Sequence, residues 1–160
     1  MLEQLADSPY ASFVRESLWG WPISLTFHAF GNGAAIGLAI IIALRLLGFF
    51  RSIPFTSLSR LFPVIWIAVV CQVISGTSLW MTKPDKYLSA WVFDTKLGFV
   101  LAGVIITAYF QGMIRREAGG WQASGKPSPQ GVRVAVVMAL AWIGVLEFGR
   151  LTAYLGTLYS

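Results

Sequence analysis

The sequence is poor in the residues on which soluble enzymes and disulfide-bonded proteins depend. Its 160 residues include one cysteine, one histidine and seven acidic residues. Charged residues make up 12% of the chain, against roughly 25% in ordinary soluble domains. The single Cys71 excludes an intrachain disulfide and a multi-cysteine metal site. One histidine and few acids disfavour a Ser–His–acid triad, and neither an HExxH motif nor a phosphate-binding glycine loop is present. These absences disfavour a hydrolase or a kinase, and they favour a protein without stand-alone catalytic activity over an enzyme.

Long apolar runs take up more than half of the chain. Hydrophobic residues make up 56% of the sequence, and its mean hydropathy is +0.69. Four runs approach the roughly 20 apolar residues that a transmembrane helix needs, at about 21–44, 62–81, 97–114 and 134–157. The sequence therefore predicts an all-α fold: an integral membrane four-helix bundle in the lipid bilayer, with residues 1–160 forming a single domain.

The basic residues are concentrated in two of the loops between these runs. Arg45, Arg51 and Arg60 lie between the first and second runs without any acid, and the loop between the third and fourth contains Arg115, Arg116, Lys126 and Arg133 with only Glu117. By the positive-inside rule both loops are cytoplasmic. We therefore predict a bacterial inner-membrane protein with both termini in the periplasm. These loops account for the formal charge of +5, so we expect no nucleic-acid binding.

Local signals predict the structure of two segments outside the runs. Asp7-Ser8-Pro9 combines a helix-capping residue with a proline at the first helical position. Residues 9–19 should therefore form a short helix at the membrane interface. The acidic start of the chain has no basic n-region and does not resemble a cleaved signal peptide. The stretch from Arg115 to Gln130 is rich in Gly, Ser and Pro, and we predict that it is the most mobile loop.

The few polar residues inside the runs fall at similar depths. His28 lies about 7 residues, or roughly 10 Å at 1.5 Å per residue, from the outer start of the first run. Asn32 follows one turn deeper on the same helix face. Arg150 lies at a similar depth in the fourth run, with Glu147 one turn deeper, and Gln72 lies in the outer half of the second. Lys96 stands at the outer mouth of the third run, and Tyr154 lies one turn beyond Arg150. Polar and ionisable residues inside membrane spans mark functional sites by default. We therefore predict a ligand or cofactor site in the outer half of the bundle, formed by these residues.

The sequence leaves three roles open for His28. The small residues between Gly31 and Ala39 suit close helix packing, so His28 can be a hydrogen-bonded packing residue. The same smooth surface beside an imidazole would admit a flat cofactor, and His28 would then ligate the iron of haem b or contact a quinone. A second axial ligand would have to come from another subunit, from Met81 or from Met138. The third role is a proton relay.

Glu147 and Arg150 are three residues apart and therefore neighbours on one helix face, where they can neutralise each other. One interpretation is an architectural clamp between helices, which survives only if it is well hydrogen-bonded. The other is a site for an anion or a carbonyl oxygen on the guanidinium. Tyr154 lies four residues beyond Arg150 and continues the same stripe.

Short motifs are distributed over most of the chain: Ser17-Leu18-Trp19 before Pro22, His28 with Gly31, Arg45-Leu46-Leu47-Gly48, Gly76, Phe93-x-x-Lys96 and Gly149-Arg150-x-x-Ala153-Tyr154-Leu155. In these residues the chain resembles a family of small bacterial four-span inner-membrane proteins, catalogued only as a domain of unknown function. The resemblance implies a four-span fold and no particular activity. Family members often carry an acid just before the Leu-Arg-Leu-Leu-Gly run, where this chain has Ala43.

Three functions are compatible with these features. The first is a haem- or quinone-associated electron-transfer or accessory subunit beside a periplasmic redox enzyme. In it His28 would contact the cofactor, Arg150 would bind a propionate or a quinone oxygen, and Lys96 and Tyr154 would support it. The second is a structural helper that packs into a larger membrane complex or a homo-oligomer. The third is an oligomeric permease for a small solute or a metal ion.

Overall fold

The computed structural model describes residues 2–88 and 91–158, without the side chains of residues 2, 86 and 153–158. These residues form seven α-helices and one 3-10 segment, and none of them forms a strand. The helices are α1 Leu2–Ala6, α2 Pro9–Glu16, α3 Gly20–Leu46, α4 Phe62–Met81, α5 Pro84–Leu88, α6 Trp91–Ser124 and α7 Pro129–Leu158, and the 3-10 segment is Phe55–Leu61. The predicted all-α class is confirmed.

Four helices are long and apolar enough to cross a membrane: α3, α4 with the 3-10 segment before it, α6 and α7. Each contains one of the four apolar runs, which confirms the predicted four-helix bundle. Helix α3 packs against α4 and α7, and α7 packs against α6. The short helices α1, α2 and α5 contact one another or the long helices at one end of the bundle, here called the terminal end. The opposite end, with the 3-10 segment and the α6–α7 turn, is called the basic end.

The close-packed core lies in the half of the bundle nearer the basic end. Its largest members, including Phe62, Phe110 and Trp142, are completely buried. Trp142 fits because Gly103 faces it across α6 and α7, where an added Cβ would lie 3.2 Å from the indole. Its Nε1 donates to Thr107 Oγ1 at 3.0 Å, so the ring is buried with its polar atom satisfied. The half nearer the terminal end is less completely filled.

The N-terminal helix starts as predicted but ends earlier. The Ser8 Oγ accepts a hydrogen bond from the Ala11 amide at 3.2 Å, which makes Ser8 the N-cap of α2. The helix ends at Glu16 because the Ser17 Oγ accepts from the amides of Trp19 and Gly20, at 3.2 and 3.1 Å, and thereby starts α3. The prediction of a helix over 9–19 is therefore wrong at its end.

The predicted mobile loop between the third and fourth spans is mostly helix. From Arg115 onward α6 continues to Ser124, and only residues 125–128 connect it to α7. Trp121 is buried, with its edge on the Phe55 ring at a centroid distance of 6.2 Å. Glycine is a poor helix former, but this tertiary packing outweighs the low propensity of Gly119 and Gly120. The prediction of a long loop was wrong because composition does not report the contact made by Trp121.

Candidate functional site

A crevice of about 310 Å³ lies between α4 and α6 near the terminal end. Its lining residues are His28, Gln72, Val73, Gly76, Thr77, Trp80, Leu88, Phe93, Lys96, Leu97 and Val100. Most of the lining is apolar, and Val73, Leu88 and Leu97 are exposed on the surface of the bundle. The crevice therefore opens sideways, where a membrane-spanning bundle meets lipid. An apolar cleft with a few convergent polar groups is the usual form of a small-molecule site.

The side-chain contacts that join α4 to α6 among the described residues lie toward the basic end. There the Trp66 Nε1 of α4 donates to the Gln111 Oε1 of α6 at 2.9 Å. The rings of Phe62 and Phe110 also pack on each other, with their centroids 6.2 Å apart. The two helices approach each other less closely than either approaches its other long neighbour, α3 or α7. Nearer the terminal end, the space between them is the crevice.

His28 is held on α4 by two hydrogen-bond acceptors. Its Nδ1 lies 3.2 Å from the Gln72 carbonyl oxygen and 3.2 Å from the Ser75 Oγ. The Gln72 carbonyl can only accept, and the single Ser75 hydroxyl proton is donated to the Cys71 carbonyl at 2.6 Å. Hydrogen bonding therefore assigns the proton of the neutral ring to Nδ1 and leaves the lone pair on Nε2. Among the described residues, Nε2 has no hydrogen-bond partner.

Gly76 makes room for the imidazole against α4. A Cβ built on Gly76 would lie 3.1 Å from His28 Cε1 and 3.4 Å from Nδ1, closer than most real Cβ contacts. The ring can therefore lie flat against the helix while its Nδ1 reaches the carbonyl of Gln72, one turn earlier. This placement makes His28 part of the crevice lining rather than a filler of the gap between α3 and α4.

Two residues of the crevice lining carry hydrogen-bond donors that have no partner among the described residues. The Trp80 Nε1 is buried and has no acceptor in this part of the chain, which is rare in native structures and calls for an explanation. Lys96 is half-buried, and its stem runs along α7, where a Cβ on Gly149 would lie 3.6 Å from Lys96 Cε. No ion pair reaches its Nζ from the described part of the chain. The crevice lining thus includes one acceptor and two donors without a partner in the described part of the chain.

Asn32 supports the site from one turn along α3. Its Oδ1 accepts a hydrogen bond from the Gln72 Nε2. This bond orients the buried Gln72, whose backbone carbonyl holds His28. Of the predicted site residues, the structure therefore brings His28, Gln72 and Lys96 to one crevice, with Asn32 behind them.

Glu147 and Arg150 lie elsewhere. Both are exposed on α7, and neither lines the crevice. The ion pair that their spacing suggested is not formed, since the only side-chain ion pair among the described residues joins Arg15 to Glu16. Gly149, between them in sequence, is the residue that faces Lys96. The backbone of Tyr154 belongs to α7, while its side chain lies outside the described residues.

The sequence analysis missed the contribution of Trp80 to the site. Trp80 reads as a residue of the aromatic belt, because it stands at the outer end of its run. Its spacing did contain a signal: residues 72, 76 and 80 recur every four positions and so share one helix face.

At the rim of the crevice, Phe93 packs on Tyr87 with ring centroids 5.6 Å apart. Burial raises the pKa of the Tyr87 phenol, which keeps it neutral at ordinary pH.

The described residues contain no group of three or more His, Cys, Asp or Glu side chains that could hold a metal ion. Among the described residues of the crevice lining, His28 is the one histidine that could ligate a haem iron. Comparisons with known protein families, curated proteins and solved structures found no match to the chain. The resemblance to the four-span family therefore stays a prediction.

Proposed function

We propose that the crevice binds the head group of a membrane quinone or quinol, and that the protein is the quinone-binding membrane subunit of an electron-transfer system. The observation that carries this proposal is an apolar cleft lined by three polar residues whose groups have no partner among the described residues: the His28 Nε2 lone pair, the Lys96 ammonium and the Trp80 N–H. A quinone carbonyl oxygen accepts from such donors. A quinol hydroxyl donates to an imidazole lone pair.

The lateral opening supports a ligand that arrives through the bilayer. The exposed apolar residues at the mouth, Val73, Leu88 and Leu97, would contact an isoprenoid tail while the head group occupies the polar interior. A water-soluble substrate would gain no binding free energy from these exposed apolar residues. The lining therefore suits an amphiphile whose small polar ring carries both donors and acceptors.

Haem b fits these residues less well than a quinone. The Nδ1–carbonyl bond of His28 does resemble the outer-shell contact that orients metal-binding histidines. A second axial ligand is not at hand, because Met138 is completely buried in the core and Met81 does not line the crevice. Arg150, expected to hold a propionate, is exposed on α7.

Ligand extraction from purified protein tests the proposal. We expect wild-type protein, isolated in a mild detergent, to retain quinone that chromatography with mass spectrometry detects at near-stoichiometric amounts. Replacing His28 with alanine removes one hydrogen bond from the head group, so quinone retention should fall about tenfold. Thr26→Ala, at an exposed position on the same helix, is the matched control and should retain quinone fully.

The absorption spectrum separates the alternatives. If the purified protein shows a Soret band and contains no quinone, the bound cofactor is haem and the quinone proposal is contradicted. If His28→Ala and wild type are both folded and retain equal amounts of quinone, His28 does not contact the head group. Folding of all three proteins is checked by circular dichroism and by gel filtration.

We propose in addition that the exposed face of α7 contacts another subunit, a second copy of this chain or a partner protein. Glu147 and Arg150 are both exposed there, about three and two turns before the end of α7. Charged residues in a membrane span rarely face lipid. A subunit contact would supply hydrogen-bond partners that the lipid does not have. This proposal also accommodates a structural-helper role in which the same face packs into a complex.

Replacing both residues by leucine tests the contact. If a subunit covers this face, Glu147→Leu/Arg150→Leu should lower the mass of the assembly measured by native mass spectrometry. The control is Val137→Leu/Leu140→Val, which changes shape but not charge on the same helix. If the mass of the assembly is unchanged and the double leucine variant melts at a higher temperature than wild type, no subunit covers this face and the two charged residues face lipid.

A further inference from the structure

A second cavity, of about 520 Å³, lies at the basic end between the end of α3, the 3-10 segment and the end of α6. Three cationic side chains line it, from Arg45, Arg51 and Lys126, and none of its lining residues is acidic. Phe55 and Gln122 complete its walls. The cavity is remote from the crevice and has no part in quinone binding.

Arg45 is the centre of this cavity and is unusual in being buried, with 7% of its surface exposed. Its guanidinium carbon lies 3.9 Å from the centroid of the Phe55 ring, a cation–π contact. Its Nε donates to the Ile53 carbonyl at 2.5 Å. These two contacts fix the plane of the guanidinium. No described carboxylate pairs with it, and its Nη1 and Nη2 atoms have no hydrogen-bond partner in the described chain.

The charge of Arg45 is not used to cap its own helix. The last carbonyls of α3 accept from backbone amides instead: Leu47 N bonds Ala43 O at 2.9 Å, Phe49 N bonds Leu44 O at 3.0 Å and Gly48 N bonds Arg45 O at 3.2 Å. Gly48 has a positive φ of 99°, which permits this tight turn. Neither the end of α3 nor a carboxylate of the described residues therefore uses the charge of Arg45.

We propose that this cavity, the Arg45 pocket, binds a phosphate group, carried by the head group of an anionic phospholipid or by a soluble phosphate ester. A pre-oriented guanidinium with two free nitrogens matches the geometry of phosphate oxygens. Arg51 and Lys126 add charge at the exposed rim. Gln122 adds an amide donor, because its Oε1 accepts from the Phe55 amide at 2.9 Å while its Nε2 has no acceptor among the described residues.

Thermal melting of the purified full-length chain in a neutral detergent tests the Arg45 pocket. The probes are dioctanoyl phosphatidylglycerol, dioctanoyl phosphatidylcholine and inorganic phosphate, at constant ionic strength. A ligand that binds only the folded state raises the melting temperature in a saturable way. We expect phosphatidylglycerol to do so at lower concentration than phosphatidylcholine, because the three cations are unopposed.

Two variants of equal charge separate the pocket from general attraction. Arg51→Gln removes a rim cation and should weaken the apparent affinity for phosphatidylglycerol about tenfold. Arg60→Gln removes the same charge from an exposed position outside the cavity and should leave the affinity unchanged. Arg45→Lys keeps the charge but loses the planar fork, so it should weaken binding at least as much. If Arg45→Lys does not fold, the apparent affinities of Arg51→Gln and Lys126→Gln for phosphatidylglycerol still test the Arg45 pocket.

Competition identifies the source of the phosphate. Displacement of phosphatidylglycerol by inorganic phosphate supports a site that a soluble phosphate can fill. Saturable binding of phosphatidylglycerol without such competition supports the lipid head group. The proposal is overturned if no probe binds, if both lipids bind equally, or if Arg51→Gln and Arg60→Gln weaken binding to the same extent.

Discussion

Gly31→Val should lower the free energy of unfolding by about 3 kcal/mol, the upper part of the range for overpacking. A Cβ at position 31 would lie 2.9 Å from the Ala68 carbonyl oxygen and 3.2 Å from the Gln72 amide nitrogen. Both are backbone atoms of α4, so neither can move aside without moving the helix. The substitution should therefore push α3 away from α4. It should also break the bonds that join His28 and Asn32 to Gln72.

Gly33→Val is the matched control for this prediction. It places the same side chain two residues away on the same helix, where no atom lies within 4 Å of an added Cβ. Its stability should equal that of wild type or exceed it slightly, since glycine is a poor helix former. The measurement is denaturant unfolding in mixed micelles. Equal loss in both variants would mean that the close approach of α3 to α4 does not matter for stability.

Gly76→Leu should reduce quinone retention more than tenfold without unfolding the protein. Position 76 lines the crevice, and a leucine there would occupy the volume proposed for the head group. The nearest atoms to an added Cβ belong to the His28 side chain, which can rotate, so the bundle should remain intact. The expected result is a folded protein that has lost its quinone, as measured by extraction and chromatography.

Gly98→Leu is the control for the crevice variant. Gly98 lies on the same wall helix as Lys96, is exposed and has no atom within 4 Å of an added Cβ. It adds the same bulk at a similar depth but outside the lining. Quinone retention should be unchanged. If Gly76→Leu keeps its quinone as well as Gly98→Leu does, the ligand does not occupy the crevice.

Hydropathy and local caps were sufficient to predict the architecture. The four apolar runs became the four long helices because bilayer thickness sets the length of a span and leaves little choice of structure within it. Ser8 caps α2 because its position before Pro9 is a local signal. The end of α6 could not be predicted in this way. Its last turns depend on Trp121, Phe55 and Gln122, which are far apart in sequence.

The depth of these polar residues was predictable, but the direction in which they face was not. Counting residues placed His28, Gln72 and Lys96 in the outer half of the bundle, and the structure has all three in the lining of one crevice. The same counting placed Glu147 and Arg150 in that half, yet they lie on the exposed side of α7. Spacing tells which residues share a face, whereas the neighbour that a face meets is decided by packing. Here Gly149 is the residue that meets Lys96, because only a small residue leaves room for that stem.

The opening of the crevice between α4 and α6 affects how binding of the proposed ligand should be measured. A mouth between two membrane helices exchanges with the bilayer, so occupancy depends on the mole fraction of ligand among the lipids rather than on its concentration in water. Detergent dilutes that mole fraction and would empty a site that is full in the membrane. Titrations in nanodiscs at fixed lipid-to-quinone ratios would therefore report the occupancy that the cell sees.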